Sequence, residues 1–367
     1  MKKEHKNKQL IVVTTGGSGG HVFPAESISK ALLASNFDVA FVTDKRGQNF
    51  QGLAGVSTYR LTAEHVTGRS LFRKIIAVFK LYIGTVQALF LLRKLKPALV
   101  LGVGGYASIP AVIAAHLWHI PVVLHEQNSI LGRANRILAA NSKLVATSFE
   151  PTLRIPKTTP SVWVGMPLRP SVFDYEKSPY PAFNDSFNIV IFGGSQGAKF
   201  FNEKLPDALF ALPKEIKKKM VITQQVRAEY LEETEKKYET AGFKSYTLSP
   251  FFGNMPELIS KAHLVFGRGG ASTLSELMVI GRPGVIVPLP TSADNHQAEN
   301  AHRFCDSGAG WLVLEGDFDA SSFAVRLQEI ITDHDLLKHA GEQAHKLAKP
   351  DASQKMASLI SDIVKGS

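Results

Sequence analysis

Four glycine clusters, each following an apolar run, are the parts of this chain best suited to chemistry. They are Thr15-Gly16-Gly17-Ser18-Gly19-Gly20-His21, Gly102-Val103-Gly104-Gly105-Tyr106-Ala107, Gly193-Gly194-Ser195-Gln196-Gly197-Ala198 and Gly267-Arg268-Gly269-Gly270-Ala271. Glycine at a strand-to-helix turn lets backbone N–H groups approach a ligand closely. The helix that follows adds unpaired donors and a partial positive charge, a combination that suits phosphate. One such loop alone is as well explained by a tight turn, but four together point to ligand binding.

Side chains near these loops add acid–base capacity. His21 titrates near neutral pH and is the candidate general base, with a helix-capping or hydrogen-bonding role as the alternative. His125 and Glu126, within His125-Glu126-Gln127-Asn128, are secondary candidates that alternatively bind an acceptor. Ser272 and Thr273 can offer hydroxyl and N–H groups to a phosphate at a helix start. Glu276 follows about one turn later, where a carboxylate can take both hydroxyls of a ribose. The alternative for Glu276 is a first-turn acid complementing the helix dipole.

Other chemistry is disfavoured by spacing. The segment 102–107 fits a dinucleotide fingerprint with Glu126 downstream, so an NAD(P)-dependent Rossmann oxidoreductase stands as an alternative. Pro110 and the added glycine alter that turn. None of the loops ends in Gly-Lys-Ser/Thr, which argues against a P-loop NTPase. Asp317-Phe318-Asp319 precedes Ala320-Ser321-Ser322 and reads as an N-cap, not a metal motif. His116 and His119 lack a third ligand, and no metal or cofactor is expected. The single cysteine, Cys305, cannot form an internal disulfide and reads as a buried small apolar residue.

The elements that must position these groups alternate in type. Strand-like runs at 10–15, 38–43, 98–101 and 121–124 alternate with helical ones at 24–35, 71–96 and 109–118. The pattern restarts with strands at 188–192, 263–266 and 285–288 and a helix at 271–280. Strand–glycine–helix units of this kind build a parallel, doubly wound sheet. The chain of 367 residues exceeds one typical core. The expected architecture is α/β with two Rossmann-like domains facing across a cleft. An N-terminal domain over 1–165, a linker over 166–187, a second domain over 188–345 and a terminal helix over 346–367 are expected. The linker is placed by its prolines, and the last helix is expected to return to the first domain.

The formal net charge of +10 favours an anionic partner. Aromatic residues fall in apolar runs, and no nucleic-acid-binding module is visible, so nucleic acid is not the expected partner. The apolar run after Lys2, Lys3, Lys6 and Lys8 is only strand-length, so it does not read as a signal peptide. Between 60 and 96, eight basic residues accompany one acid, Glu64. The run from Ile75 approaches the length of a membrane span, but Lys80, Gly84 and Gln87 interrupt it and it joins strands of one sheet. Phe72, Arg73, Lys74, Ile75, Phe79 and Lys80 instead read as a surface that docks on anionic lipid, the alternative being a core helix with a solvated basic face.

The loops occur in order with Asp294-Asn295-His296-Gln297-x-x-Asn300-Ala301 and Gly269-Gly270-Ala271-x-Thr273-x-Ser275-Glu276. As an ordered set over about residues 10–310, they closely resemble the MurG family of peptidoglycan N-acetylglucosaminyltransferases. The resemblance implies a GT-B fold and transfer of GlcNAc from UDP-GlcNAc to lipid I, the undecaprenyl-pyrophosphoryl-MurNAc-pentapeptide, giving lipid II. It implies that the C-terminal half holds the donor. Ser195 would contact the diphosphate, Phe252 the uracil through its backbone, and Ala271, Ser272, Thr273, Leu274 and Ser275 the phosphates. Glu276 would take the ribose and Gln297 the sugar. Ser18, Gly19, Gly20 and Asn128 would reach the donor from the N-terminal half, with Arg169 a cation near the nucleotide. Gly104, Gly105, Tyr106 and His125 fall on the acceptor side. Some members have paired glutamines where this chain has His296-Gln297. A place on the cytoplasmic face of the bacterial membrane, held peripherally, is also implied. A GT-B enzyme for another lipid acceptor is the nearest alternative.

Overall fold

The computed structural model describes residues 8–16, 19–45, 53, 56–63, 71–194 and 198–366. Ser18 and Ser195 lie outside the described residues, as do the side chains of Phe72, Arg73 and Lys74. The chain divides into two compact units, residues 1–169 with 349–367, and residues 170–348.

The first unit runs β1 (Leu10–Thr14), α1 (Gly19–Ala34), β2 (Asp38–Thr43), β3 (Ser57–Arg60), α2 (Leu71–Leu95), β4 (Leu99–Gly102), α3 (Ser108–Leu117), β5 (Val122–Glu126), α4 (Arg133–Ala139), β6 (Leu144–Thr147) and β7 (Ser161–Trp163). Its strands pair in parallel in the order β3-β2-β1-β4-β5-β6-β7. Parallel strands are buried on both faces, and β1 shows why its sequence is apolar throughout. Ile11 and Val13 pack with Ile28, Leu32, Met356 and Ile360 on one face. Val12 packs with Leu92, Val112 and Leu138 on the other.

The start of α1 departs from expectation. The proline favoured a helix beginning at 24, but α1 begins at Gly19 and carries Pro24 within it. Proline there forgoes only one early backbone bond, to the Gly20 carbonyl. His21 therefore stands in the first turn of α1 rather than in the loop before it.

Helix α2 turns Ala77, Ala88 and Leu92 inward. Gly84 lies on the same side, where an added Cβ would come 2.1 Å from the Thr62 carbonyl. Helical spacing places Ile75, Phe79, Tyr82 and Phe90 on the opposite side, and all four are exposed.

The second unit runs α5 (Pro170–Phe173), β8 (Phe187–Ile191), α6 (Lys199–Glu203), α7 (Leu205–Phe210), α8 (Lys214–Lys217), β9 (Met220–Gln225), α9 (Leu231–Glu239), β10 (Ser245–Ser249), α10 (Met255–Lys261), β11 (Leu264–Gly267), α11 (Ala271–Ile280), β12 (Gly284–Ile286), α12 (His296–Phe304), β13 (Gly310–Leu312), α13 (Ala320–Thr332) and α14 (His334–Lys346). Its parallel sheet has the order β10-β9-β8-β11-β12-β13. The stretch expected as a linker is packed against this unit from Pro170 onward. Tyr180 Oη donates to the His263 carbonyl at 2.5 Å, and Phe183 stacks on His334 with centroids 3.8 Å apart. The buried Arg282 guanidinium donates to the Pro179 carbonyl at 2.7 Å.

The helical C-terminus breaks at Asp333 as well as near Pro350. The Asp333 carboxylate accepts the Leu336 N–H at 2.9 Å and so starts a new helix. Asp319 similarly caps α13 by accepting the Ser322 N–H at 2.8 Å. The last helix, α15 (Ala352–Lys365), belongs to the first unit and packs on α1 through Met356, Ala357, Ile360 and Val364. Ile360→Ala should lower the unfolding free energy by about 2–4 kcal/mol. Ser358→Ala, on the exposed side of the same helix, should change it by less than about 0.5 kcal/mol. Urea titration of the two variants checks the pair.

Candidate active site

In each sheet the strand order reverses once, between β1 and β4 and between β8 and β11. Neighbouring strands whose connections leave in opposite directions open a crevice at their C-terminal ends, where α/β folds bind ligands. All four glycine loops stand at these two switch points.

In the first unit the loops after β1 and β4 touch through their backbones. The Gly16 N–H donates to the Gly104 carbonyl at 3.0 Å. A Cβ on Gly105 would lie 2.8 Å from Gly16 Cα, and Gly105 has φ +78°. Gly104, with φ +87°, leaves room for a side chain from α1: a Cβ there would lie 3.0 Å from His21 Nδ1. Only glycine meets both demands.

The end of β5 completes this crevice. Gln127 Nε2 donates to the Val103 carbonyl at 2.6 Å, and its Oε1 lies 3.1 Å from His21 Nδ1. Nε2 also lies 3.2 Å from His125 Nδ1. His125 is fully buried, with Nε2 3.4 Å from the Gly165 carbonyl and 3.3 Å from Ser148 Oγ. Burial pushes its pKa down to about 4; the Gly165 hydrogen bond opposes this and the neighbouring His21 adds to it.

Glu126 is also buried, and its carboxylate is engaged by four donors. Oε1 accepts from the Asn128 N–H at 3.0 Å and its side-chain amide at 3.2 Å. Oε2 accepts from the Gly132 N–H and the Asn135 amide, both at 2.9 Å. Glu126 thus shapes the turn that presents Asn128. Both carboxylate oxygens are occupied within the fold. Tyr106 is half-buried in the turn before α3. Arg169 ends the unit with its guanidinium 5.1 Å from the centre of the Phe23 ring.

In the second unit, Gly270 is the N-cap of α11, in extended conformation, and among the described residues no side-chain cap hydrogen bond is made there. Ala271, Ser272 and Thr273 therefore begin a helix whose first N–H groups remain available to an anion. Ser272 and Thr273 are half-buried, while Leu274, Ser275 and Glu276 are buried. Glu276 occupies the second turn of α11, so the reading of it as a first-turn acid does not hold.

Helix α12 braces this loop. Asn300 Nδ2 donates to the Gly269 carbonyl at 3.0 Å, and a Cβ on Gly269 would meet the Gln297 carbonyl at 2.2 Å. Gln297 Oε1 accepts from the Leu289 N–H at 3.0 Å. Asp294 and Asn295 turn the chain into α12 with φ of 52° and 57°, values that their residue types tolerate. Gln225, which sequence reasoning passed over, joins two further parts. Its Oε1 accepts from the Gly193 N–H at 3.3 Å, and its Nε2 donates to the Pro250 carbonyl at 3.1 Å. The half-buried Phe252 follows in that same loop. Arg268 is occupied within the fold: it donates to the Val287 carbonyl at 3.0 Å, pairs with Glu315 and lies 5.3 Å from the Phe201 ring centre.

Two parallel-sheet Rossmann-like units, each with glycine loops at its switch point, define a GT-B glycosyltransferase. The chain belongs to glycosyltransferase family 28: the family's N-terminal domain matches residues 11–147 and its C-terminal domain residues 188–356. Two similar proteins are each named UDP-N-acetylglucosamine--N-acetylmuramyl-(pentapeptide) pyrophosphoryl-undecaprenol N-acetylglucosamine transferase. The one from Paramagnetospirillum magneticum is 39% identical over 362 residues, covering 97% of both chains. The one from Rhodospirillum rubrum is 40% identical, covering 96% of this chain and 91% of its own. The crystal structure of Acinetobacter baumannii MurG superposes with a TM-score of 0.80 at 30% identity, covering 96% of this chain and 99% of that one. Membership of this family replaces the oxidoreductase alternative.

The buried His125 ring makes stability depend on pH. Its folded pKa of about 4 lies below the ordinary histidine value of 6.5, so the unfolded chain takes up the proton first. The stabilisation is complete above pH 6.5 and is lost as pH falls towards 4, by up to about 3 kcal/mol. Urea unfolding between those limits should show this slope in the wild type and a flatter one in His125→Gln. Equal slopes would contradict the buried neutral ring.

Proposed function

We propose that this protein transfers GlcNAc from UDP-GlcNAc to the C4 hydroxyl of MurNAc in lipid I, giving lipid II for peptidoglycan synthesis. The observation that carries the reading is the division of chemistry between the switch points. One gathers a histidine with hydrogen-bonding side chains; the other presents an uncapped helix start suited to a diphosphate. The similar proteins carry the corresponding substrates in their names.

The second unit binds UDP-GlcNAc. Ala271, Ser272, Thr273, Leu274 and Ser275 take the phosphates, Glu276 the ribose, Phe252 the uracil through its backbone, and Gln297 the sugar. Ser195 contributes to the diphosphate site, with Arg169 an added cation. Gly104, Gly105 and Tyr106 form the acceptor side, with His125 buried behind them rather than in contact with the acceptor, and Ser18, Gly19, Gly20 and Asn128 reach the donor.

The reaction is one displacement with inversion. The acceptor O4 attacks C1 of GlcNAc while its proton passes to His21. The bond from C1 to the diphosphate oxygen breaks, and UDP leaves with the electron pair. N–H groups of the α11 start stabilise the charge that develops on the leaving phosphate. Labelled GlcNAc should pass from UDP-GlcNAc to a lipid I analogue. His21→Ala should lower kcat by about 100-fold or more while UDP-GlcNAc binding persists. Near-normal turnover in that variant would remove His21 as the base.

The exposed side of α2 docks on the membrane that carries the acceptor. Ile75, Phe79 and Tyr82 present apolar surface there, and Lys80 and Arg93 lie on the same helix. The protein should co-sediment with vesicles rich in anionic lipid at low salt and less so at high salt. Phe79→Ser should weaken that binding without altering turnover of a water-soluble acceptor.

A further inference from the structure

We propose that Gln127 is a positioning residue that fixes the tautomer of His21, placing the ring's proton on Nδ1 and its lone pair on Nε2. The inference rests on reading His21 as the base, and it begins with the orientation of one amide. The Val103 carbonyl can only accept, so the Gln127 atom 2.6 Å from it must be the NH₂ group. A flipped amide would set two carbonyl oxygens against each other. Oε1 therefore faces His21 Nδ1 at 3.1 Å. An amide oxygen has no hydrogen to give, so Nδ1 must carry the proton.

The buried end of the network imposes the same direction. Gln127 Nε2 stands 3.2 Å from His125 Nδ1, which must accept. The proton of neutral His125 then lies on Nε2, facing the Gly165 carbonyl and Ser148 Oγ. Ser148 is able to accept because its own hydroxyl donates to Met166 Sδ at 3.4 Å. Every donor from Ser148 to His21 thus has one consistent assignment. Burial, which holds His125 neutral, keeps that assignment in place.

Gly104 holds the pair together sterically. A Cβ at that position would lie 3.0 Å from His21 Nδ1 and 3.2 Å from Gln127 Oε1. Any larger residue would press on both partners. Among the described residues, the groups facing His21 include Gln127, directly after β5, and the neutral His125 within β5, with Glu126 turned to its four donors. A neutral imidazole in water prefers the Nε2–H form, in which the remaining lone pair is on Nδ1, towards Gln127. A neighbour that selects Nδ1–H puts the basic atom on the opposite edge of the ring.

The test is long-range proton–nitrogen correlation spectroscopy on protein labelled with ¹⁵N-histidine at mildly alkaline pH, with His21 assigned by the signal lost in His21→Ala. The wild type should show Nδ1–H. Gln127→Leu should shift His21 towards Nε2–H and lower kcat about 10-fold or more, leaving KM for UDP-GlcNAc nearly unchanged. Gln127→Glu, which keeps an acceptor oxygen, should retain Nδ1–H. Nε2–H in the wild type, or an unchanged tautomer in Gln127→Leu, overturns the inference. If Gln127→Leu fails to fold, the wild-type and Gln127→Glu spectra still decide it. The spectra need no substrate. A wild type that shows Nδ1–H but transfers nothing to lipid I would sink the transferase reading alone.

Discussion

The contact on which the first unit's site depends is between two stretches of backbone that carry no side chains. Gly16 and Gly105 meet so closely that a Cβ on Gly105 has no room and one on Gly16 would be crowded, and the Gly16 N–H seals the contact by donating to the Gly104 carbonyl. Parallel pairing of β1 with β4 brings these loops side by side, and the reversal of strand order leaves the crevice open above them. Everything functional in this unit is measured from that contact. It sets where the His21 ring can enter, and it sets the Val103 carbonyl that orients Gln127. Glycine in these loops therefore makes room for the His21 and Gln127 side chains.

The second unit uses the same topology to a different end. Its switch-point loop is also pressed by backbone, at Gly269 against the Gln297 carbonyl, but the intruding element is a helix clamped by Asn300. Among the described residues, no imidazole fills this turn as His21 does in the first unit. The motif around residues 294–301 thus has a mechanical meaning beyond any contact with sugar: it fixes the position of the loop from which α11 begins.

Much of this was legible from sequence where strong local signals exist. Apolar runs ending in glycine marked β1, β4, β8 and β11, because strands buried on both faces need a continuous apolar run. The edge strands β3, β7 and β10 left no such mark, since Ser57, Ser161 and Ser245 begin strands with exposed positions and mixed composition. Pro24 misdirected the start of α1, because a proline is a good signal for a helix start but here lies one turn inside it. The stretch from Pro170 looked like a crossing because its many prolines hid the anchors at Tyr180 and Phe183. His21, Glu126 and Asn128 could be picked out by residue type and motif. Gln127 and Gln225 could not, because an amide declares its role only through the partners that the fold brings to it.

The arginine in the second loop shows how the two sites divide their electrostatics. Arg268 sits between the glycines of a phosphate-type loop, where composition alone would assign it to the anion. The fold instead spends its charge inside, on Glu315 and on carbonyls of the strand β12 exit, with Phe201 beneath it. A fixed cation close to a diphosphate would bind the donor and the departing UDP alike. Backbone donors at a helix start are weaker and directional, so in the proposed reaction those of α11 would favour the charge at the position where it grows. With the Arg268 guanidinium committed inside the fold, the proposed diphosphate contacts fall to the α11 start and to Arg169.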